Sequence, residues 1–292
     1  MNRLLIVDGH AYAYRAFHAI RDLRSPEGQP KNAVYGFLKM LEKMRATVDP
    51  THLIVVWDGG LSAERQALLP EYKAHRPEMP EDLRPQLDEI GSYLDAAGVA
   101  QFCGDGIEAD DYIACLARRA AEKDWRVIIA SSDKDFMQLV TERVGLLNPN
   151  DKTGKIWGRD EVRAKSGVEP GQIAGWLALM GDAVDNIPGV PGVGPKTAAV
   201  LLEQFGTVEN LQVRTGEVKS ERLRASLMMS AETVKRNLEL VRLAEVPCEL
   251  EPEKLAVRPP EVEKLRNLFR RWGFKGMLAD LEARSVRQAE LI

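Results

Sequence analysis

The chain has 292 residues, with 40 Lys and Arg against 44 Asp and Glu, 45% apolar and 29% charged residues, and a formal net charge of −4. That composition is globular, long enough for one large domain or two ordinary ones, and it excludes a disordered chain. No apolar run reaches the roughly 18 residues of a membrane span, the Asp after four apolar residues in MNRLLIVDGH predicts that this stretch is no signal peptide, and three cysteines (Cys103, Cys115, Cys248) without metal-ligand spacing fit a reducing cytosol.

RLLIVDGH (3–10) is a short apolar run ending at Asp8, followed by a helical pattern through Tyr14, Phe17 and Ile20. HLIVVWDGG (52–60) is a second such run, rich in β-branched residues and ending at Asp58. SAERQALLPEYKAHRPEMPEDLRPQL (62–87) comes next; Pro70, Pro77 and Pro80 break regular helix, and Arg65, Lys73, Arg76 and Arg84 make it basic. Tyr72 is interleaved with these charges, which suits phosphate contact plus base stacking; a solvated surface loop reads the segment equally well. GIEADDYIACLARRAAEK (106–123) opens an apolar-periodic helix with Glu108, Asp110 and Asp111, more acid than a cap requires. WRVIIASSDKDF (125–136) is a third buried strand, running into Asp133 and Asp135. Strands alternating with helices predict a parallel sheet covered on both faces. Ligands bind such sheets beyond the carboxyl ends of the strands, and all three strands deliver an acid there. Asp after a strand is also good turn chemistry, an account that serves one such residue better than three plus the Glu108 cluster.

Crowded carboxylates repel unless a cation compensates. With no His or Cys in the set, oxygen-only ligands suit Mg²⁺ or Mn²⁺ rather than zinc. Two such ions about 4 Å apart can clamp the attacking and leaving oxygens of a phosphodiester.

GWLALMGDAVDNIPGVPGVGPKTAAVLLEQFG (175–206) joins two helical segments through a Gly-rich turn, with Lys196 and Thr197 opening the second helix. Such a turn presents backbone N–H groups to a phosphate and reads no base. Asp182 and Asp185 precede it at i, i+3. With Asp8, Asp58, Glu108, Asp110, Asp111, Asp133, Asp135, Asp182 and Asp185 set aside, 35 acids remain against 40 bases, a net +5. A metal-loaded protein can therefore present a positive surface to nucleic acid despite its overall charge.

Taken in order, VDGHAYAYRAFHA, VVWDGG, EYKAHRP, EADDYIA, SSDKDFMQL and GDAVDNIPGVPGVGPKTA resemble the 5′-nuclease domain of bacterial DNA polymerase I, a member of the flap endonuclease superfamily. The resemblance runs from Arg3 to about Ala279. It implies an α/β fold, a PIN-like parallel sheet flanked by helices, followed by a helical domain with a helix–hairpin–helix variant. It also implies 5′-3′ exonuclease and 5′-flap endonuclease activity, and a role in primer removal during replication and repair. The expected partners are DNA with 5′ ends, flaps or RNA-primed strands, acted on by a cytoplasmic monomer. By motif, the nine acids correspond to metal ligands for two divalent ions, Mg²⁺ or Mn²⁺, and the hairpin allows a monovalent cation. Lys73 and Arg76 correspond to arch residues that approach the scissile phosphate, joining Asp110 and Asp133 as catalytic groups. Tyr14, Arg15, Arg65, Tyr72, Arg84, Gly192, Gly194, Lys196 and Thr197 are the expected DNA contacts. GDAVDN departs from the family pattern, which has small polar residues where Ala183 and Val184 stand, but its acids keep their spacing.

The expected organisation is a catalytic domain over 1–165 with its basic arch at about 62–87, a helix–hairpin–helix domain over 166–260, and a C-terminal helical tail over 261–292. No polymerase-like region follows, so a stand-alone nuclease is expected, and an isolated domain of a longer polymerase would read the same. A DNA clamp that had lost catalysis would show substituted acids, and none is missing. A PIN-type ribonuclease would share the acid core but not the hairpin and basic insert. An Asp-nucleophile phosphatase would need an early D-x-D, which VDGH lacks.

Overall fold

The computed structural model describes residues 1–289. Its sheet contains β1 (Arg3–Asp8), β2 (His52–Trp57), β3 (Ala100–Cys103), β4 (Arg126–Ala130), β5 (Val144–Leu147) and β6 (Ile156–Trp157), in the spatial order β3-β2-β1-β4-β5-β6. The first five strands run parallel, and β6 pairs antiparallel with β5. The three strands expected from the sequence are thus the adjacent central ones, and the three added strands are short or lie toward the edges. Alternation along each central strand feeds two cores. Leu4, Ile6, Ile54, Val56, Val127 and Ile129 face one, and Leu5, Val7, Leu53, Val55, Ile128 and Ala130 the other.

The helices before the third central strand are α1 (Gly9–Ala19), α2 (Asn32–Val48), α3 (Ala63–Leu68), α4 (Arg84–Ala96) and α5 (Ala109–Glu122). After it come α6 (Arg159–Ser166), α7 (Ile173–Met180), α8 (Pro195–Phe205), α9 (Val208–Val213), α10 (Glu221–Met229), α11 (Ala231–Val241), α12 (Val262–Trp272) and α13 (Lys275–Ala289). Helices α1, α2 and α4 cover the Leu5 face. Helix α5 covers the Leu4 face through Tyr112, Ile113, Leu116, Ala117 and Ala120, a helical spacing that leaves none of the five exposed. That core continues without a break into α7, α8 and α11 through Leu177, Leu201 and Leu238, so the helical region is built onto the sheet.

The C-terminal segment differs from the expected tail. Leu265, Phe269 and Trp272 recur at i, i+4 and i+7 along α12 and bury themselves with Phe274 in the core beneath α2 and α4. The last helices complete the layer that the first ones begin.

Candidate active site

The carboxyl ends of β2, β1 and β4 lie side by side, and the chain leaves β1 for β2 on one flank and β4 on the other. This is the topological switch point, where a parallel sheet opens a crevice. Asp8 ends β1, caps α1 by accepting from Ala11 N–H (3.0 Å), and accepts from Ser131 Oγ (2.8 Å). Asp58 follows β2, its N–H donating to His10 Nδ1 at 3.1 Å. The next residue, Gly59, lies against Gly104 so closely that a Cβ would sit 1.7 Å from the Gly104 carbonyl oxygen. Its N–H donates to Ile107 O (3.1 Å), bringing the loop before Glu108 against the Asp58 strand. Asp110 stands in the first turn of α5, and Asp133 and Asp135 follow β4.

These carboxylates are crowded. Burial pushes the Asp8 carboxyl up to about 6, with Asp133 and Asp58 adding to the rise. Burial first, then the neighbouring charge of Asp133, lifts Asp110 and Asp135 well above the ordinary range, and burial raises Asp133. Asp58 Oδ1 and Asp135 Oδ1 are buried without any hydrogen-bond partner. Buried oxygens are nearly always paired, so the orphaned atoms and the raised acids fit an oxygen-ligated divalent cation. Among the described residues, no three acids already close on one point.

Side-chain cations stand around this group. Lys73 is 2% exposed, with Nζ 2.5 Å from Glu108 Oε2 and 4.0 Å from both Asp110 Oδ2 and Asp185 Oδ2. Arg76 donates to Asp185 Oδ1 at 2.8 Å. Residues 70–75 form irregular turns rather than helix, and Lys73 takes a left-handed φ of 56°. Both cations reach the acids, as an irregular loop folded over the edge.

Three expected assignments change. Asp111 was grouped with the metal ligands, but Arg65 binds both its oxygens (2.6 and 2.8 Å) and Ala244 N–H donates to it as well (2.8 Å). Arg65, expected on DNA, is buried, and it also donates to the carbonyls of Leu240 (2.9 Å) and Arg242 (3.0 Å). The pair fastens α3 to α5 and to the end of α11. Tyr72, expected to stack on bases, is 4% exposed, its ring in the core and its hydroxyl on Glu108 Oε2 at 3.2 Å. A ring held there cannot meet a base.

The remaining expected contacts are more open. Arg15 is exposed and donates to Asn150 Oδ1 (2.6 Å), and Tyr14 is half-buried and stacked on His18. Arg84 is exposed at the start of α4. Asp182 and Asp185 sit on the connection between α7 and α8, which also carries Gly192 and Gly194, so one loop joins the acidic group to the hairpin. Gly192 has φ 81°, and nothing lies within 4 Å of where its Cβ would be, which leaves its backbone open to a ligand. Lys196 is exposed and Thr197 half-buried in the first turn of α8, whose leading N–H groups have no intrahelical partner.

Sequence reasoning did not single out Ser131, His10, or Lys134, whose Nζ lies 2.5 Å from Asp182 Oδ2. The D-K-D run signals Lys134, because a lysine between two site acids cannot be far from them. Nothing local marks Ser131 or His10.

The family described as "5'-3' exonuclease, N-terminal resolvase-like domain" matches residues 3–167, and "5'-3' exonuclease, C-terminal SAM fold" matches residues 168–263. A 5'-3' exonuclease of Aquifex aeolicus is 38% identical over 99% of this chain and 98% of its own length. DNA polymerase I of Pseudomonas aeruginosa is 40% identical over 95% of this chain, which spans 31% of that polymerase. A structure of the bacteriophage T5 flap endonuclease, a pseudo-enzyme–product complex with DNA and metal ions, superposes with a TM-score of 0.69 at 23% identity, over 99% of this chain and 100% of that one. At that identity the likeness establishes the fold. The order of both matched domains, together with the Aquifex aeolicus relative matched nearly end to end, places this chain in the 5'-3' exonuclease family.

Proposed function

We propose that the acidic group at the switch point is a divalent-metal centre that hydrolyses DNA phosphodiesters at 5′ ends and 5′ flaps. The observation that carries this reading is the raised carboxyls of Asp8, Asp110, Asp133 and Asp135 on one sheet edge, together with the unpartnered Oδ1 atoms of Asp58 and Asp135, with Lys73 and Arg76 beside them. These carboxylates would hold Mg²⁺ or Mn²⁺, which would supply Lewis-acid activation of water and offset negative charge on the phosphate. Lys73 and Arg76 hold positive charge at the same edge, aimed at negative charge that builds as the phosphate is attacked. Ser131 and His10 fix Asp8 and the Asp58 loop, so these acids need little rearrangement. The hairpin offers backbone N–H groups to the duplex at a fixed offset from the acids, because both lie on one loop. No helix among the described residues is long and apolar enough to cross a membrane, and a DNA-processing role fits action in the cytoplasm.

The test is a 5′-flap DNA labelled at either end and incubated with Mg²⁺ or with chelator. Release of short 5′-labelled products that stops in chelator is the expected result. Absence of cleavage, or cleavage indifferent to chelator, would overturn the reading.

A further inference from the structure

Lys134 differs from the other cations at the acidic group in how it is held. Lys73 is enclosed: its side chain is 2% exposed, its backbone N–H is bonded to Asp185 O (3.0 Å), and its ammonium lies 4.9 Å from the Tyr72 ring centre. Arg65 is locked by a carboxylate on α5 and two carbonyls at the end of α11. Lys134 has a single side-chain partner, Asp182 at 2.5 Å, and is 32% exposed against 9% for that carboxylate. It lies between Asp133 and Asp135, and Asp135 Oδ1 is one of the two orphaned oxygens of the site. Its stem can therefore turn toward solvent without breaking any other contact, whereas Asp182 cannot leave.

We infer that Lys134 is an exchangeable internal counter-ion: it holds Asp182 while that carboxylate is free, yields it to a divalent cation, and then offers its ammonium to a phosphate of bound DNA. The inference rests on the metal centre proposed above. An ammonium and a divalent ion repel at the separations one carboxylate imposes, so they compete for it. Lysine suits the exchange, being a compact charge on a flexible stem. A released ammonium at this edge also couples ion binding to DNA binding, and such coupling is reciprocal.

The experiment is a Mn²⁺ titration followed by the electron paramagnetic resonance of the free ion, on the unsubstituted protein, Lys134→Met, Lys134→Gln and Lys134→Arg. Both neutral variants should bind the weaker ion about tenfold more tightly, while Lys134→Arg stays close to the unsubstituted protein. With saturating Mn²⁺ and flap DNA, the neutral variants should raise KM by about fivefold with little change in kcat, and Lys134→Arg should restore it. Mn²⁺ affinity unchanged or weakened in both neutral variants would overturn the inference while leaving the metal centre intact. An unsubstituted protein that binds no Mn²⁺ would overturn both.

Discussion

Asp111→Ala should destabilise the protein by about 3–5 kcal/mol, the usual consequence of removing one partner of a buried ion pair. The structure sets the size. Arg65 and Asp111 are 7% and 3% exposed, and the pair is bidentate at 2.6 and 2.8 Å. Removing the carboxylate leaves the guanidinium with Glu108 at 3.4 Å and two backbone carbonyls, and it orphans the Ala244 N–H. For a chain of this size, each kcal/mol lowers the melting temperature by about 2 °C, so a fall of about 6–10 °C is expected. Urea unfolding should show the same loss with an unchanged m-value. Mn²⁺ affinity, measured below the transition, should stay within about twofold, because the oxygens removed are already committed to Arg65 and Ala244. Arg65→Ala should reproduce the stability loss, and the double variant should lose less than the two single losses added. Should Asp111→Ala instead unfold like the unsubstituted protein while its ion binding collapses, Asp111 is a metal ligand and the reasoning fails.

The metal-free protein should lose stability as pH rises. Asp8 goes from the ordinary 3.8 to about 6 on folding, and Asp110, Asp133 and Asp135 shift in the same direction. Below roughly pH 4 these acids are protonated in both states and cost nothing; above the folded pKa the full penalty applies, about 3 kcal/mol from Asp8 alone. Melting curves in chelator at about pH 5 and about pH 7.5 should show the drop, and Mg²⁺ should recover more stability at the higher pH. Asp110→Asn should raise the metal-free melting temperature by a few degrees and cut single-turnover cleavage at least about a hundredfold; unchanged values of both would contradict the crowded-site account. Gly192→Asp should weaken duplex binding by about tenfold, equally for unrelated DNA sequences, by setting a like charge and a strained backbone at the open turn; a sequence-selective loss would point to base reading. Lys73→Ala and Arg76→Ala should lower single-turnover cleavage far more than binding, whereas Arg84→Ala should alter mainly affinity and its salt dependence; full-rate cleavage by the first two at saturating DNA would reduce the loop to a docking surface.

The central strands were legible because their apolar runs are long, β-branched and punctuated by Asp, and the hairpin because its glycines and Pro195 leave few other conformations. The strands β3, β5 and β6 were not. AQFC is four residues with mixed burial, and β6 is two residues whose pairing depends on a partner brought by the fold. EADD shows the limit most clearly. Spacing places Glu108, Asp110 and Asp111 together on the first turn of α5, yet neighbours on that turn look in different directions. Asp110 joins the crowded edge, whereas Asp111 meets Arg65 from a helix 46 residues earlier. Arg65 and Tyr72 were misread for a related reason. A basic, proline-rich insert has the composition of a surface loop, and only the packing of α3 against α11 takes Arg65 inside.

The charges of the site divide by origin. Four acids have their own cation: Asp111 with Arg65, Glu108 with Lys73, Asp185 with Arg76, and Asp182 with Lys134. Arg65, Lys73 and Arg76 come from the insert between β2 and α4, and Lys134 from the loop after β4. Asp8, Asp58, Asp133 and Asp135 end or follow central strands, and Asp110 adjoins them; among the described residues only Asp110 of these five has a cation within 4.0 Å, the Lys73 already paired with Glu108. The rigid scaffold thus supplies bare negative charge, which by itself would oppose folding, while the insert and the loop after β4 supply the compensation. That arrangement explains why Lys73 tolerates a left-handed φ of 56°. A helical backbone there would point the Lys73 N–H along a helix axis; the left-handed turn lets it bond Asp185 O (3.0 Å) while the ammonium reaches Glu108. The strain, about 1–2 kcal/mol, is smaller than the cost of leaving Glu108 buried without its cation.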